Sequence, residues 1–172
     1  MTIIDHTPLP AIFTRVLGVE GGIKDVGDGM GVTRFGQTAA WLATYGLPTP
    51  QTNDDAMHNY LMWAHITKLD LLCTVDDALS NILIDDSVND GIHDPVASLQ
   101  SAVGVTPDGV IGPQTIAAVA AGDRLKIACF VLCAQIIWDG RSIESKPSNA
   151  QFAAGWAVRR AGHVRQLVNG VQ

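Results

Sequence analysis

Fifteen aspartates and only two glutamates make up the acids of this 172-residue chain, and one of the glutamates, Glu20, lies where a carboxylate is least at home. The stretch Ile12 to Glu20 reads as the closing turns of an amphipathic helix. At about 100° per residue, Ile12, Phe13, Val16 and Glu20 share one arc, so the acid projects into the apolar stripe. Gly21-Gly22 follows at once as a stop signal. The carboxylate is therefore expected at the negative end of a helix dipole and against a hydrophobic surface, and both effects raise its pKa. An acid that keeps its proton near neutral pH is what general acid catalysis requires. A helix-end glutamate turned to solvent is the plainer alternative.

Hydrolysis of a glycosidic bond needs that acid and a second polar group that holds water or steadies an oxocarbenium-like transition state. Asp28 and Thr33 follow Glu20 across a glycine-rich stretch. A hairpin there can bring both side chains back to the helix end. In an inverting enzyme the two carboxyls stand about 6.5–9.5 Å apart, with the attacking water between them. Asp28 would activate that water and Thr33 would orient it. Asp28 beside Gly29 is equally an ordinary turn aspartate.

Other chemistries lack their residues. His58 and His65 lie seven apart with no third ligand at metal spacing, so no metal is expected. The aspartate-rich stretches 25–28 and 85–91 miss the calcium-loop spacing. Ser87 has no nucleophile-elbow context, and no glycine-rich phosphate loop is present.

The elements that must position Glu20 are mostly helical. A helix ends at Glu20, and Asp28-Gly29 marks a short irregular β-hairpin between Lys24 and Gly36. A short helix covers Gln37 to Tyr45, stopped by Gly46 and Pro48. Asn53 is expected to cap a helix running to about Lys68, with Asp54 and Asp55 in its first turn. Thr74 opens another that continues to about Asn89. Asp94-Pro95 reads as an N-cap followed by proline, with Val96, Leu99 and Val103 inward. A tight turn at Asp108-Gly109 leads to a helix starting at Pro113. Asp123 caps an apolar helix to about Trp138, a loop covers Asp139 to Ser148, and a final helix runs from Asn149 to Val168.

At 47% apolar and 16% charged residues, the chain is a compact globular protein. The apolar run Ile127 to Trp138 is too short to span a bilayer and reads as a buried helix, so no stable membrane insertion is expected. Met1 to Leu9 has no signal-peptide pattern, which implies synthesis in a cytoplasm. Cys73, Cys129 and Cys133 read as buried reduced thiols. The net charge of −6 is uneven: residues 1–110 hold 4 basic against 14 acidic residues, and residues 111–172 hold 7 against 3. Arg159, Arg160, His163 and Arg165 give the last helix a basic face, either solvated or able to dock an anionic polymer. Nucleic acid is disfavoured by the acidity of the whole.

Val19-Glu20-Gly21-Gly22 followed by Asp28-Gly29-Met30-Gly31-Val32-Thr33-Arg34-Phe35-Gly36-Gln37-Thr38 resembles the signature of the glycoside hydrolase family 108 muramidases, which are phage endolysins and related lysozyme-like proteins. Ile84 to Gly91, then Leu99-Gln100, is similar to a later segment of that family. So are the turn Asp108 to Thr115 and the stretch Phe152 to Arg159. The chain departs from the signature at Ile23, Met30 and Gln37, and its loop before Asp28 is one residue short. Five motifs in order, over roughly residues 12–165, carry the resemblance.

The resemblance implies a mainly α, lysozyme-like α+β fold: a helical bundle with one small β-hairpin after the catalytic helix. It implies a catalytic lobe over residues 1–73 and a helical lobe over 74–172 resembling a peptidoglycan-binding region, the two packed as one unit. It assigns Glu20, Asp28 and Thr33 to catalysis. Asp85, Asn89 and Gln100 would hold substrate through acetamido groups, although Asp85 and Asn89 could equally brace a helix junction. The expected activity is cofactor-free hydrolysis of the β-1,4 bond between N-acetylmuramic acid and N-acetylglucosamine, by a monomer acting on peptidoglycan glycan strands. The chain would be made in a bacterial cytoplasm and act in the periplasm, released through a holin-type pore. A non-catalytic wall-binding or phage-particle protein on the same fold, and a lytic transglycosylase, are the rival readings.

Overall fold

A computed structural model describes residues 8–20, 23–25, 32–73, 75 and 77–170. The chain is mainly α-helical and divides into two compact units, Met1–Thr74 and Val75–Gln172.

In the first unit, α1 (Pro8–Glu20) is followed by β1 (Ile23–Asp25) and β2 (Val32–Arg34), then α2 (Ala39–Tyr45), α3 (Asn53–Thr67) and α4 (Leu69–Leu72). The strands pair antiparallel in the register Ile23 with Arg34, Lys24 with Thr33 and Asp25 with Val32, so the hairpin expected after α1 is present. Leu9, Ile12, Phe13, Val16 and Leu17 are buried, the three-to-four spacing of a helix with one apolar face. That face packs on α3. The Phe13 ring stacks on Tyr60 at 5.1 Å and 10°, and Trp63 meets it edge-on at 6.4 Å. Such aromatic pairs add about 0.5–1.5 kcal/mol beyond the area they bury.

The starts of three helices differ from the expectation. Thr52, not Asn53, caps α3: its hydroxyl accepts from the Asp55 amide, and Asp55 Oδ2 accepts from the Thr52 amide at 3.0 Å. This reciprocal pair satisfies two amides that would otherwise lack acceptors. At α2 the cap is Thr38, which excludes Gln37 from the helix. No side chain caps α6 (His93–Ala102); Asp94 bonds instead to the neighbouring His93 ring.

The second unit comprises α5 (Asp77–Asp90), α6, α7 (Pro113–Ala121), α8 (Arg124–Ser145), a 3-10 turn (Pro147–Phe152) and α9 (Ala153–Gly170). Helix α8 packs against α5, α6 and α9 and is the unit's central element. Asp123 caps it as expected, accepting from the Lys126 amide. It does not stop near Trp138 but continues through the predicted loop to Ser145. Nor is it buried all round: Phe130, Ile136 and Ile137 are about half exposed, and Cys129 and Cys133 are exposed, leaving Cys73 as the buried thiol. No helix among the described residues is long and apolar enough to cross a membrane.

Candidate functional site

Glu20 is the last residue of α1, one helical turn beyond the buried Val16. Thr33 is half-buried in the middle of β2, opposite Lys24 of β1. Asp28 falls outside the described residues. Helix α3 ties both described positions to one frame. It packs on α1, and its Tyr60 hydroxyl donates to the Phe35 carbonyl at 3.2 Å, just beyond β2.

The buried Gln37 adds to this frame. Its amide nitrogen donates to the Ala56 carbonyl at 2.9 Å, and its oxygen accepts from Asn59 at 2.8 Å; Asn59 also donates to the Pro48 carbonyl at 2.8 Å. Between β2 and this anchor the chain reverses in a tight turn from Arg34 to Gln37. Phe35 and Gly36 there have φ of 52° and 79°. Positive φ is easy for glycine and costly for phenylalanine. The bonds on both sides of Phe35 hold the turn that sets the end of β2.

In the second unit, the residues expected to hold substrate go to different tasks. Gln100 belongs to the turn after α6. It is buried, and its amide nitrogen donates to Asp108 Oδ1 at 2.7 Å, the Val110 carbonyl at 3.0 Å and Thr115 Oγ1 at 3.2 Å. Its oxygen accepts from the Gly109 amide at 2.9 Å. Both ends of the side chain are engaged by the turn after α6. The Gln100 bond, with that from the Val110 amide, holds the Asp108 carboxyl below the usual carboxylate range. Gly109 has φ of 71°, and a Cβ there would come within 2.4 Å of the His93 ring, so the position requires glycine.

Asp85 and Asn89 lie one turn apart on α5. The Asn89 amide nitrogen donates back to the Asp85 carbonyl at 2.7 Å, while Asp85 Oδ2 meets His163 Nε2 at 2.9 Å and Arg159 Nε at 3.5 Å. Asp85 is thereby tied to α9. Burial works against its ionised form, but the His163 bond and the charge of Arg159 outweigh it and hold its pKa low.

The basic face expected on α9 is also corrected, because Arg160 and His163 are buried. Arg160 Nε and Nη2 donate to the two oxygens of Asp139 at 3.0 Å each, Nη1 bonds Asp86 Oδ1, and Asp90 Oδ2 lies 3.6 Å from Nη2. Burial pushes the Asp86 carboxyl up to about 7 against the pull of Arg160, and raises Asp90 as well. Asp85, Asp86 and His163 each bring a ligand atom within 4.8 Å of the others, close enough to share a cation. Here the Arg160 guanidinium supplies the positive charge to Asp86. Sequence spacing hid this network, because its members are separated by as many as 78 residues.

Residues 94–161, less than half of the chain, match a family profile described as "Predicted Peptidoglycan domain". A search of curated proteins returns no match. Among solved structures, one described as "Structure of Brucella abortus SagA" superposes with a TM-score of 0.75 at 24% identity, covering 94% of each chain. At that identity the likeness is one of fold. The family match supports peptidoglycan as the material with which the chain associates.

Proposed function

We propose that the chain is a peptidoglycan-cleaving muramidase, with Glu20 as the general acid and Asp28 and Thr33 managing the attacking water. The match of residues 94–161 to a peptidoglycan domain carries the substrate class. Support for the chemistry comes from the placement of Glu20 at the C-terminal end of α1 and of Thr33 on the paired β2. A carboxyl at a helix C-terminus meets the negative end of the dipole, which favours its protonated form. The reaction needs no cofactor: the acid protonates the bridging oxygen and water completes the cleavage. Glycan strands of the wall are the substrate, encountered in the periplasm after synthesis in the cytoplasm and passage through a holin-type pore.

A binding-only reading draws on one specific observation: the family match lies wholly outside the unit that holds Glu20. Digestion of purified sacculi separates the readings. A muramidase releases soluble fragments with reducing muramic acid ends; a binding protein pellets with the sacculi and releases none. Anhydro ends in the mass spectrum would replace hydrolysis with transglycosylation.

A further inference from the structure

Helices α6 and α8 leave a groove of about 410 Å³ on the second unit, lined among others by Ser98, Phe130, Gln135, Trp138 and Arg141. Small residues, Ala97 and Ala134, line it from the two helices and leave room between them. Apart from Asp90 its lining falls inside the segment that matches a peptidoglycan domain.

We propose that this groove binds an N-acetylated amino sugar that carries a carboxylate, with the sugar ring on Trp138, the acetamido group on Gln135 and the acid on Arg141. The inference rests on the peptidoglycan reading above and names the part of the polymer that this unit holds.

Gln135 points to a ligand most directly. It is only 3% exposed, it lines the groove, and its side-chain amide makes no hydrogen bond among the described residues. Its primary amide offers the groove both donors and an acceptor. An acetamido group carries the complementary carbonyl and N–H on one rigid plane.

Trp138 selects a sugar over a bare peptide. Its indole is half-buried and lines the groove, braced by Trp156 at 6.3 Å in an edge-on arrangement. A fixed aromatic face complements the flat C–H face of a pyranose, and such ligand sites characteristically combine an aromatic wall with a few convergent polar groups. Arg141 selects an acidic sugar over a neutral one. It is exposed at the groove and makes no ion pair among the described residues. A carboxylate there receives a charge-assisted, two-point contact that a neutral sugar cannot supply. The acids of the lining are already engaged, Asp94 with His93 at 2.8 Å and Asp90 with Arg160 at 3.6 Å, so they neither compete for Arg141 nor demand a cation.

The test uses the full chain carrying Glu20→Gln, so that bound glycan stays whole, with calorimetry against three probes: peptide-free peptidoglycan glycan, chito-oligosaccharide of equal length, and free stem peptide. The glycan is expected to bind about tenfold more tightly than the chito-oligosaccharide, one charge-assisted contact being the difference. Arg141→Gln, which removes an exposed and unpaired side chain and spares the fold, abolishes that preference and leaves chito-oligosaccharide binding unchanged. Gln135→Leu, close in volume, weakens both sugars. Equal binding of the two sugars, preference for the stem peptide, or indifference to both substitutions overturns the groove assignment; if sacculi still pelleted with the chain, the peptidoglycan reading would survive. Failure to pellet with sacculi at all sinks that reading and the groove assignment with it.

Discussion

Arg160 of α9 lays its guanidinium against Asp139 of α8 through two hydrogen bonds of 3.0 Å each, while its remaining nitrogen bonds Asp86 of α5. One buried cation thus joins three helices of the second unit. Pairing of this kind does not make a protein stable by itself, because both partners lose their hydration. Removing one partner is a different matter, since it strands the other charges in a medium of low polarity. Arg160→Leu is therefore expected to cost about 3–5 kcal/mol in chemical denaturation. Arg160→Lys restores the charge but not the fork that Asp139 grips, and recovers only part of the loss. A neutral Arg160→Leu variant would contradict this account of the unit.

The same cluster gives a pH dependence. Burial first, and then its acidic neighbours, lift the Asp86 carboxyl from 3.8 to about 7 in the folded chain. Between those values the folded state binds more protons than the unfolded one, so this group's contribution to stability falls as pH rises and levels off above about 7. Urea titrations across that range should show wild type losing about 1–3 kcal/mol relative to Asp86→Asn as pH climbs from 4 to 7. A difference independent of pH, or one of opposite sign, contradicts the assignment.

The turn after α6 makes a separable test. Gln100 satisfies Asp108, Gly109, Val110 and Thr115 at once. Gln100→Leu keeps the bulk but takes a partner from the buried Thr115 hydroxyl and unties the turn, at an expected cost of about 1–3 kcal/mol. If Gln100 held substrate, the variant would instead lose sacculus binding with its stability intact.

A smaller prediction concerns Lys68, which ends α3 with φ of 64°. Glycine adopts that conformation without strain, so Lys68→Gly should stabilise the first unit by up to about 1 kcal/mol, read as a raised midpoint of unfolding.

These residues also mark what the sequence can disclose. The α1 stripe and the hairpin were legible because period and turn chemistry are local: Phe13 and Val16 face α3, and β1 and β2 pair where the glycines predicted a reversal. Asp123 and Pro113 announced their helices for the same reason. The end of α8 was not legible. Asp139-Gly140 looks like a stop, yet Asp139 is held by Arg160, a partner 21 residues on that no local pattern reveals. The bonds of Gln100 to its turn were not legible either, because an amide reads the same in sequence whichever partners it finds. The capping of α3 by Thr52 shows the opposite failing, where a neighbouring Asn53 offered an equally good local signal.

For the catalytic unit, the decisive measurement is the release of reducing ends from purified sacculi by wild type and by Glu20→Gln, each first shown by circular dichroism to be folded. Loss of the sole proton donor should lower the rate by about a hundredfold or more, the scale of general acid catalysis, while pelleting with sacculi is unchanged. A Glu20→Gln chain that liberates sugar as fast as wild type would show that this carboxyl does not carry the reaction.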